Sequence, residues 1–255
     1  MLNTMSKFYY GHHITTSNRD LPFNDGSGAK TATLNVGDYS LTEFITEISR
    51  ALNAASTTVT FTVTVNRSTR LITIAGTGSF DLLLSSGASS NPFSLMGYTS
   101  GSDLTGTNTY TGNAVTGSEF LPQFKLQKYV AFGDEQRASH SNVATSANGT
   151  VEIINYGTDD FMTCEIAYQT NNNTTGSAIE NQTNGLDNLR TFLQYIVNKR
   201  KIEFIPDRDT PATFTKCIIE STSVSGDGTG YKLNEYLGRL PGFYSSGTLK
   251  FRKMS

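Results

Sequence analysis

The chain has 255 residues, with 20 Lys or Arg against 22 Asp or Glu, for a formal net charge of −2. This balance leaves no excess of positive charge to hold a nucleic-acid backbone, so sequence-specific nucleic-acid binding is not expected. Hydrophobic residues make up 36% of the chain and charged residues only 16%, with 12 Tyr, 15 Phe and 23 Gly. Such a composition excludes disorder throughout and favours strands and turns over long helices.

The cysteine content and the apolar runs of the sequence indicate the cellular compartment in which the protein is made. The two cysteines, Cys164 and Cys217, are too few for a disulfide scaffold and stand in strand-like stretches, so we expect buried, apolar roles for both. Residues 1–10 lack the apolar stretch of a signal peptide, and no run of about eighteen apolar residues occurs. These patterns predict a protein made in a cytoplasm, with no membrane partner.

The first clear element is a helix. Ser40 followed by Glu43 forms a capping box, which supplies hydrogen bonds to the first free amides of a helix. From there apolar residues recur at helical spacing, which predicts a helix over 41–53 with the stripe Leu41, Phe44, Ile45, Ile48 and Leu52.

Alternating Val and Thr predict a half-buried strand over 58–65, which pairs as a hairpin with an extended stretch at 71–74. A short strand is expected at 80–84. Gly, Ser, Thr and Asn dominate 85–117, which predicts a long loop docked by one apolar knot, Phe93, Leu95, Met96, Gly97 and Tyr98.

We place a domain boundary near Lys125. Residues 1–125 then form a helix-plus-β module with long Gly/Ser/Thr-rich loops, and residues 126–255 form the second module. The stretches 134–148 and 170–183 are polar and are predicted to be arms that order on assembly.

The second module begins with strands predicted at 151–156 and 161–168, joined in a hairpin by 157–160. A helix is predicted over 186–198, with Asn184 as its cap and the cations of 199–201 at the negative end of its dipole.

Further strands are predicted at 201–205, 214–220, 231–236 and 248–252. The expected fold class is mainly β (α+β), and the second module is an antiparallel β-sandwich or barrel flanked by one helix.

A search for chemistry yields no catalytic, cofactor-binding or metal-ligating residue. The G-x-S-x-G, H-E-x-x-H and C-x-x-C motifs are absent, and neighbouring His12 and His13 are expected on opposite sides of a strand, at a surface or turn. Gly226–Gly230 lacks the pattern of a phosphate-binding loop and is predicted to be a flexible hairpin loop. Two aspartate clusters could serve a glycosidase, a peptidase or a calcium site, but turns explain them better: Asp159, Asp160, Asp207 and Asp209.

Candidate interface residues come from two segments. Arg208 stands between Asp207 and Asp209 in a stretch stiffened by Pro206 and Pro211, and could form an ion pair between subunits; the alternative is a solvated loop. Phe243 and Tyr244 follow a Pro-Gly turn and suit either an interface anchor or, by default, core packing.

Several strings resemble structural proteins of tailed bacteriophages. The segments 39–44 and 51–55, the strands after them and the knot Phe93–Tyr98 resemble a small module found in virus structural proteins. Residues 189–195, 201–207 and 249–252 more loosely resemble the tail-tube and distal-tail family, in which a β-sandwich flanked by one helix assembles into hexameric rings around the tail channel.

This resemblance implies a virion component without enzymatic activity or cofactors. It implies a homo-oligomeric ring, expected to be a hexamer, that contacts other tail proteins. The N-terminal module exceeds what a tube subunit needs, which favours a ring at the tail end, or a related joining position, over a repeated tube subunit. Two alternatives remain. One is a receptor- or carbohydrate-binding module using aromatic platforms near Tyr98, Tyr110 and Tyr244, and the other is a head-to-tail joining or capsid decoration protein.

Overall fold

The computed structural model describes residues 6–87, 91–121, 131–132, 136–145, 147–148, 151–167, 169–171, 185–236 and 240–254. The elements in chain order are β1 (Lys7–Tyr10), β2 (His12–Ile14), β3 (Asp20–Asn24), β4 (Ala29–Thr33), β5 (Gly37–Tyr39), α1 (Leu41–Ala55), β6 (Phe61–Asn66), β7 (Leu71–Leu82), β8 (Leu104–Thr111), β9 (Ser118–Phe120), β10 (Ala131–Phe132), β11 (Gln136–Thr145), β12 (Val151–Glu165), α2 (Gly185–Ile196), β13 (Ile202–Ile205), β14 (Thr215–Thr222), β15 (Asn234–Tyr236), β16 (Leu240–Ser245) and β17 (Thr248–Lys253). The fold is mainly β and antiparallel, as the sequence predicts.

The chain divides into two compact units. The N-terminal unit combines Lys7–Phe120 with Lys201–Phe214, and the C-terminal unit combines Met1–Ser6, Leu121–Arg200 and Thr215–Ser255. The segment 201–214 therefore returns to the unit that the first 120 residues build, because β13 pairs with β1. Lys125, the predicted boundary, lies outside the described residues.

The N-terminal unit packs α1 against a sheet of order β4-β3-β7-β6, with β8 on the other edge of β7. A second sheet of the unit has the order β13-β1-β9, and β2 pairs with β5. The core of the unit is aromatic and aliphatic, and its largest members include Phe23, Phe44, Phe61, Phe80 and Tyr98.

The C-terminal unit has a sheet of order β10-β12-β17-β14, in which β11 also pairs with β12, and a smaller sheet of β15 and β16. Helix α2 buries one face of its own, formed by Leu186, Leu189, Phe192, Leu193, Tyr195 and Ile196. Cys164 and Cys217 are buried free thiols, as predicted.

Both helix predictions are confirmed. Ser40 Oγ accepts a hydrogen bond from the Glu43 amide, and the Glu43 carboxylate accepts one from the Ser40 amide, so the capping box is complete. Asn184 lies outside the described residues. The start of α2 is instead held by Asn171, whose side-chain oxygen accepts hydrogen bonds from the amides of Leu186 and Asp187.

Three strand predictions are wrong. Residues 85–117 are not one long loop, because β8 lies within them; only Tyr110 of β8 is buried, so the strand lacks an alternating apolar pattern. The predicted hairpin over 151–168 is instead the single strand β12, which β11 accompanies. Residues 136–145 of the predicted polar arm are that β11 strand.

The docked knot is confirmed. Phe93, Met96 and Tyr98 are buried, and the Tyr98 hydroxyl lies within hydrogen-bond distance of the carbonyl oxygens of Ile72 and Tyr110.

Asp25 also links separate segments of the N-terminal unit, because its buried carboxylate accepts hydrogen bonds from Lys30, Ser56 and Thr57 at 2.7–2.9 Å. Burial alone would raise the pKa of Asp25, but these hydrogen bonds outweigh it and hold the pKa far below its usual range.

Candidate functional site

The charged loop Pro206–Pro211 follows β13 and carries three of the predicted interface residues. Asp207 organises it: its carboxylate accepts a hydrogen bond from the Asp209 amide at 2.9 Å, and its carbonyl accepts one from the Thr210 amide at 3.0 Å. An aspartate that binds the backbone two residues on is a standard way to fix a turn. The turn interpretation of Asp207 is thus confirmed, and the loop has a defined conformation.

A buried ion pair anchors this loop at both ends. Glu203, on β13, is fully buried, and its carboxylate pairs with the Arg67 guanidinium and accepts hydrogen bonds from the amide and hydroxyl of Thr42. Arg67 also donates to the Pro211 carbonyl at 2.7 Å and stacks 3.8 Å from the centre of the Phe214 ring. The Arg67 guanidinium therefore fixes the charged loop at its start, through Glu203, and at its end, through Pro211.

Between those anchors the charged side chains are exposed. Arg208 Nε lies 3.7 Å from the Asp209 carboxylate, with the two side chains 41% and 55% exposed. An ion pair at such exposure contributes little stability. The loop thus presents both charges on a rigid base, where a second molecule can reach them.

The second candidate surface is the ribbon, defined as β11 together with residues 151–160 of β12. In the described part of the chain, β11 pairs with no strand other than β12. Strand β17 pairs with β12 only from Phe161 to Glu165, so the ribbon runs beyond the support of the sheet. Its register shifts between His140 and Ser141, where Tyr156 is passed over.

Ion pairs hold the root of the ribbon. Arg252 of β17 lies 3.1 Å from the Asp159 carboxylate and also binds Glu220 of β14. Arg137 binds Asp160 across the ribbon at 2.7 Å, and its hydrogen bond lowers the pKa of Asp160. Both aspartates are therefore occupied by arginines and stand in a strand, not in the turn that the sequence predicts.

The remaining two interface candidates belong to the C-terminal unit. Phe243 is only 7% exposed and Tyr244 is half-buried, both on β16. The Tyr244 amide and carbonyl exchange hydrogen bonds of 2.9 Å with those of Gln169. The five predicted interface residues thus fall into two sets, 207–209 in one unit and 243–244 in the other.

The histidine prediction is wrong for His12. Its ring is fully buried, 5.0 Å from the Phe44 ring, and Nε2 lies 3.3 Å from the Thr116 hydroxyl. Burial, helped by the positive charge of Arg70, lowers the pKa of His12 to about 3. His13 is half-buried and binds Asp38 at 2.7 Å. Helical or strand periodicity could not reveal His12, because β2 has only three residues.

Other chemical candidates find structural explanations. Asp227 fixes the Gly226–Gly230 loop through hydrogen bonds from Ser225 and Thr229, which lower its pKa to about 2. Tyr98 and Tyr110 are buried, so neither ring offers a face on which a sugar could stack. Among the described residues, no three His, Cys, Asp or Glu side chains come together as metal ligands.

Sequence reasoning missed the two anchors of the charged loop. Arg67 stands in the polar turn Asn66-Arg67-Ser68-Thr69, which gives no sign that its side chain folds inwards. Glu203 does carry a signal, because it stands between Ile202 and Phe204 in a short apolar strand, where an isolated charge requires a partner. The ribbon gives no such signal, since Gly157 and two aspartates interrupt its pattern.

No known family model matches the chain. A search of curated proteins likewise finds no match. No helix in the described part of the chain is long and apolar enough to span a membrane.

Proposed function

We propose that this chain is a non-enzymatic structural component of a bacteriophage virion, a ring-forming tail protein of the distal-tail or tail-tube kind. Its partners are further copies of itself, with a hexamer expected, and neighbouring tail proteins. The observation that carries the proposal is the ribbon, a long pair of strands that pair with each other and with no further strand in the described part of the chain.

The ribbon supports self-assembly because of what a two-stranded hairpin needs. Isolated hairpins are marginally stable in water and gain stability when a further strand or a packed face covers them. Strand β11 leaves one edge without a strand partner among the described residues, and such an edge is a template for pairing with another chain. A neighbouring subunit in a closed ring supplies that cover at every position.

The charged loop supports the same conclusion from the other unit. Rigid, exposed charges give an interface its orientation and select its partner, even where they add little affinity. Arg208 and Asp209 are opposite charges on one turn, so the loop suits a surface that alternates in charge in the same way.

Light scattering across a concentration series, with negative-stain images of the same fractions, tests the proposal. We expect a closed ring with a central hole. The ribbon is then shortened by replacing residues 138–159 with Asn-Gly, a pair that favours tight hairpins and closes the ribbon on the Arg137–Asp160 pair. This variant should keep the circular dichroism of a folded β protein and lose the ring.

Arg208→Glu should weaken assembly at physiological salt and leave the fold intact. Arg190→Glu is the matched control, because Arg190 is an exposed arginine on α2 whose ion pair among the described residues is local, with Asp187. A strict monomer at every concentration, or a ring that survives loss of the ribbon, would contradict the proposal.

A further inference from the structure

The outer edge of β6 has hydrogen-bond partners at both ends and, among the described residues, none between them. At one end, the Asn53 side chain binds the Phe61 backbone twice: its oxygen accepts from the Phe61 amide at 2.7 Å, and its amide donates to the Phe61 carbonyl at 2.8 Å. At the other end, the Tyr9 hydroxyl donates to the Arg67 carbonyl at 2.7 Å. Both sets of contacts lie on the side of β6 that faces away from β7.

Between these ends, the backbone groups of Val63 and Val65 also point to the side of β6 that faces away from β7. Hydrogen-bonding groups of an antiparallel strand alternate between its two sides, so Val63 and Val65 share the direction of Phe61. Thr60, one residue earlier, confirms the alternation because its carbonyl accepts from the Thr77 amide across the hairpin. Strand β7 is the only strand that pairs with β6 in the described part of the chain.

A groove of about 400 Å³ lies beside this edge, between α1 and β6. Its strand side is Phe61, Thr62 and Val63, and its helix side is formed by Ile45, Thr46, Ser49, Arg50 and Asn53. Asn53 already occupies one end in the manner of a short backbone segment. The groove therefore has room for more extended backbone, next to donors and acceptors that would pair with it.

Arg50 gives the groove its charge. It pairs with Glu47, but the Glu47 carboxylate faces inwards, is 9% exposed and accepts the Asn35 amide. The Arg50 side chain is 45% exposed, so the accessible end of the pair is positive. Arg50 is the only charged residue among those that line the groove.

We propose that this groove binds an extended peptide segment of another protein, which adds as a strand to β6 at Val63 and Val65 and places an acidic side chain against Arg50. The backbone pairing gives affinity, and the carboxylate and the Ile45 surface select the sequence. The proposal does not depend on the ribbon or on ring formation, because it uses only residues of α1 and β6.

The probe is a bead-displayed library of random nine-residue peptides, screened with the full chain. We expect enrichment of peptides that contain one Asp or Glu and have no proline among their central residues. In a synthetic form of the best peptide, N-methylation should weaken binding at least tenfold at alternate positions and leave the intervening positions unaffected. That period of two identifies strand addition.

Variants of the protein locate the site. Arg50→Gln should weaken binding about tenfold. The matched control is Arg190→Gln, since Arg190 also pairs three residues back along its helix and is equally exposed. Val63→Pro removes an outward amide without removing a hydrogen bond to β7, and should abolish binding at an unchanged circular dichroism spectrum.

Amide exchange by NMR gives a readout that needs no variant. In the free protein, the amides of Val63 and Val65 should exchange at least tenfold faster than those of Thr62 and Thr64, and the bound peptide should slow them. Equal exchange rates in the free protein, or enriched peptides that ignore both Arg50→Gln and Val63→Pro, would overturn the proposal. A concentration-dependent dimer that Val63→Pro abolishes would also overturn it, because a second copy would then be the occupant.

Discussion

The two longest strands of the molecule, β7 and β12, differ in how their edges are covered. Strand β7 pairs with β6 and β3 along one edge and with β8 along the other. Strand β12 has β10 and β17 beside its last residues, but among the described strands β11 alone lies beside its first ten. Because strand pairing is the unit of sheet stability, β7 is fixed by its own unit, whereas the described part of the chain leaves the ribbon with fewer strand partners.

The burial of charged side chains also differs between the N-terminal unit and the ribbon. The N-terminal unit buries its key charges, Asp25 and Glu203, among several donors each. In the ribbon, the Arg137–Asp160 pair is exposed. The comparison therefore makes a claim that mutagenesis can break: loss of a charge is severe in the first region and mild in the second.

The largest effect is expected from Glu203→Ala. This change leaves the Arg67 guanidinium buried without its carboxylate, which costs about 3–5 kcal/mol of unfolding free energy. Urea denaturation followed by fluorescence measures it, and Glu203→Gln should lose less because it still accepts from Thr42. Arg137→Ala in the ribbon is the counterpart, with no measurable change in Tm expected. Equal losses of stability from Glu203→Ala and Arg137→Ala would contradict the distinction between the two regions.

Asp25→Asn should have the next largest effect, about 2–3 kcal/mol, because a buried carboxylate that binds Lys30 and backbone amides becomes a neutral group with one acceptor oxygen. Asp227→Asn is the matched change, since Asp227 organises a similar turn while exposed to solvent. Differential scanning calorimetry should give a clear fall in Tm for the first and a small one for the second. The reverse order would contradict the importance we assign to burial.

Near neutral pH, the smallest effect is a pH dependence at His12. Its pKa is about 3 in the folded protein and about 6.5 when unfolded. Between these values the unfolded chain binds one proton more, so the unfolding free energy falls as the pH drops below about 6.5, by at most ~1.4 kcal/mol per pH unit. Below about pH 3 both states bind the proton and the dependence on this group ends.

Urea denaturation between pH 7 and pH 5 should therefore give a shallower slope for His12→Gln than for the wild type. Thr116→Val serves as the control, because it removes the hydrogen-bond partner of the ring and keeps the imidazole. It should retain the wild-type slope. Identical slopes for all three proteins would exclude a buried, neutral His12.

Local signals made part of this fold predictable. The capping box of α1 and the apolar faces of both helices are encoded within a few residues, so the sequence alone places them. Strand β8 is held by pairing with β7 and by the single buried ring of Tyr110, and a Thr-rich stretch carries no periodic sign of that. The same holds for β12, whose Gly157 and aspartates indicate a turn until β11 and Arg252 supply partners.

The candidate site was predictable to a similar extent. The two prolines correctly indicate that 206–211 is a stiff, charged turn, because proline acts on its own backbone. What fixes that turn in space is Arg67, which lies more than 130 residues earlier in the chain. No pattern within the loop can specify a contact at that separation.

The pairing of β1 with β13 also sets the order in which the chain can fold. Lys7 lies opposite Ile205, so β1 waits for residues near position 205 before its sheet is complete. During synthesis at about 5–20 residues per second, that wait lasts roughly 10–40 seconds. Of the two described strands that pair with β1, β9 is made after about 120 residues and β13 only near position 205, so until then a chaperone or a neighbouring nascent chain can reach the edge of β1 that β13 covers. A chain cut anywhere between β9 and β13 would keep that edge open permanently.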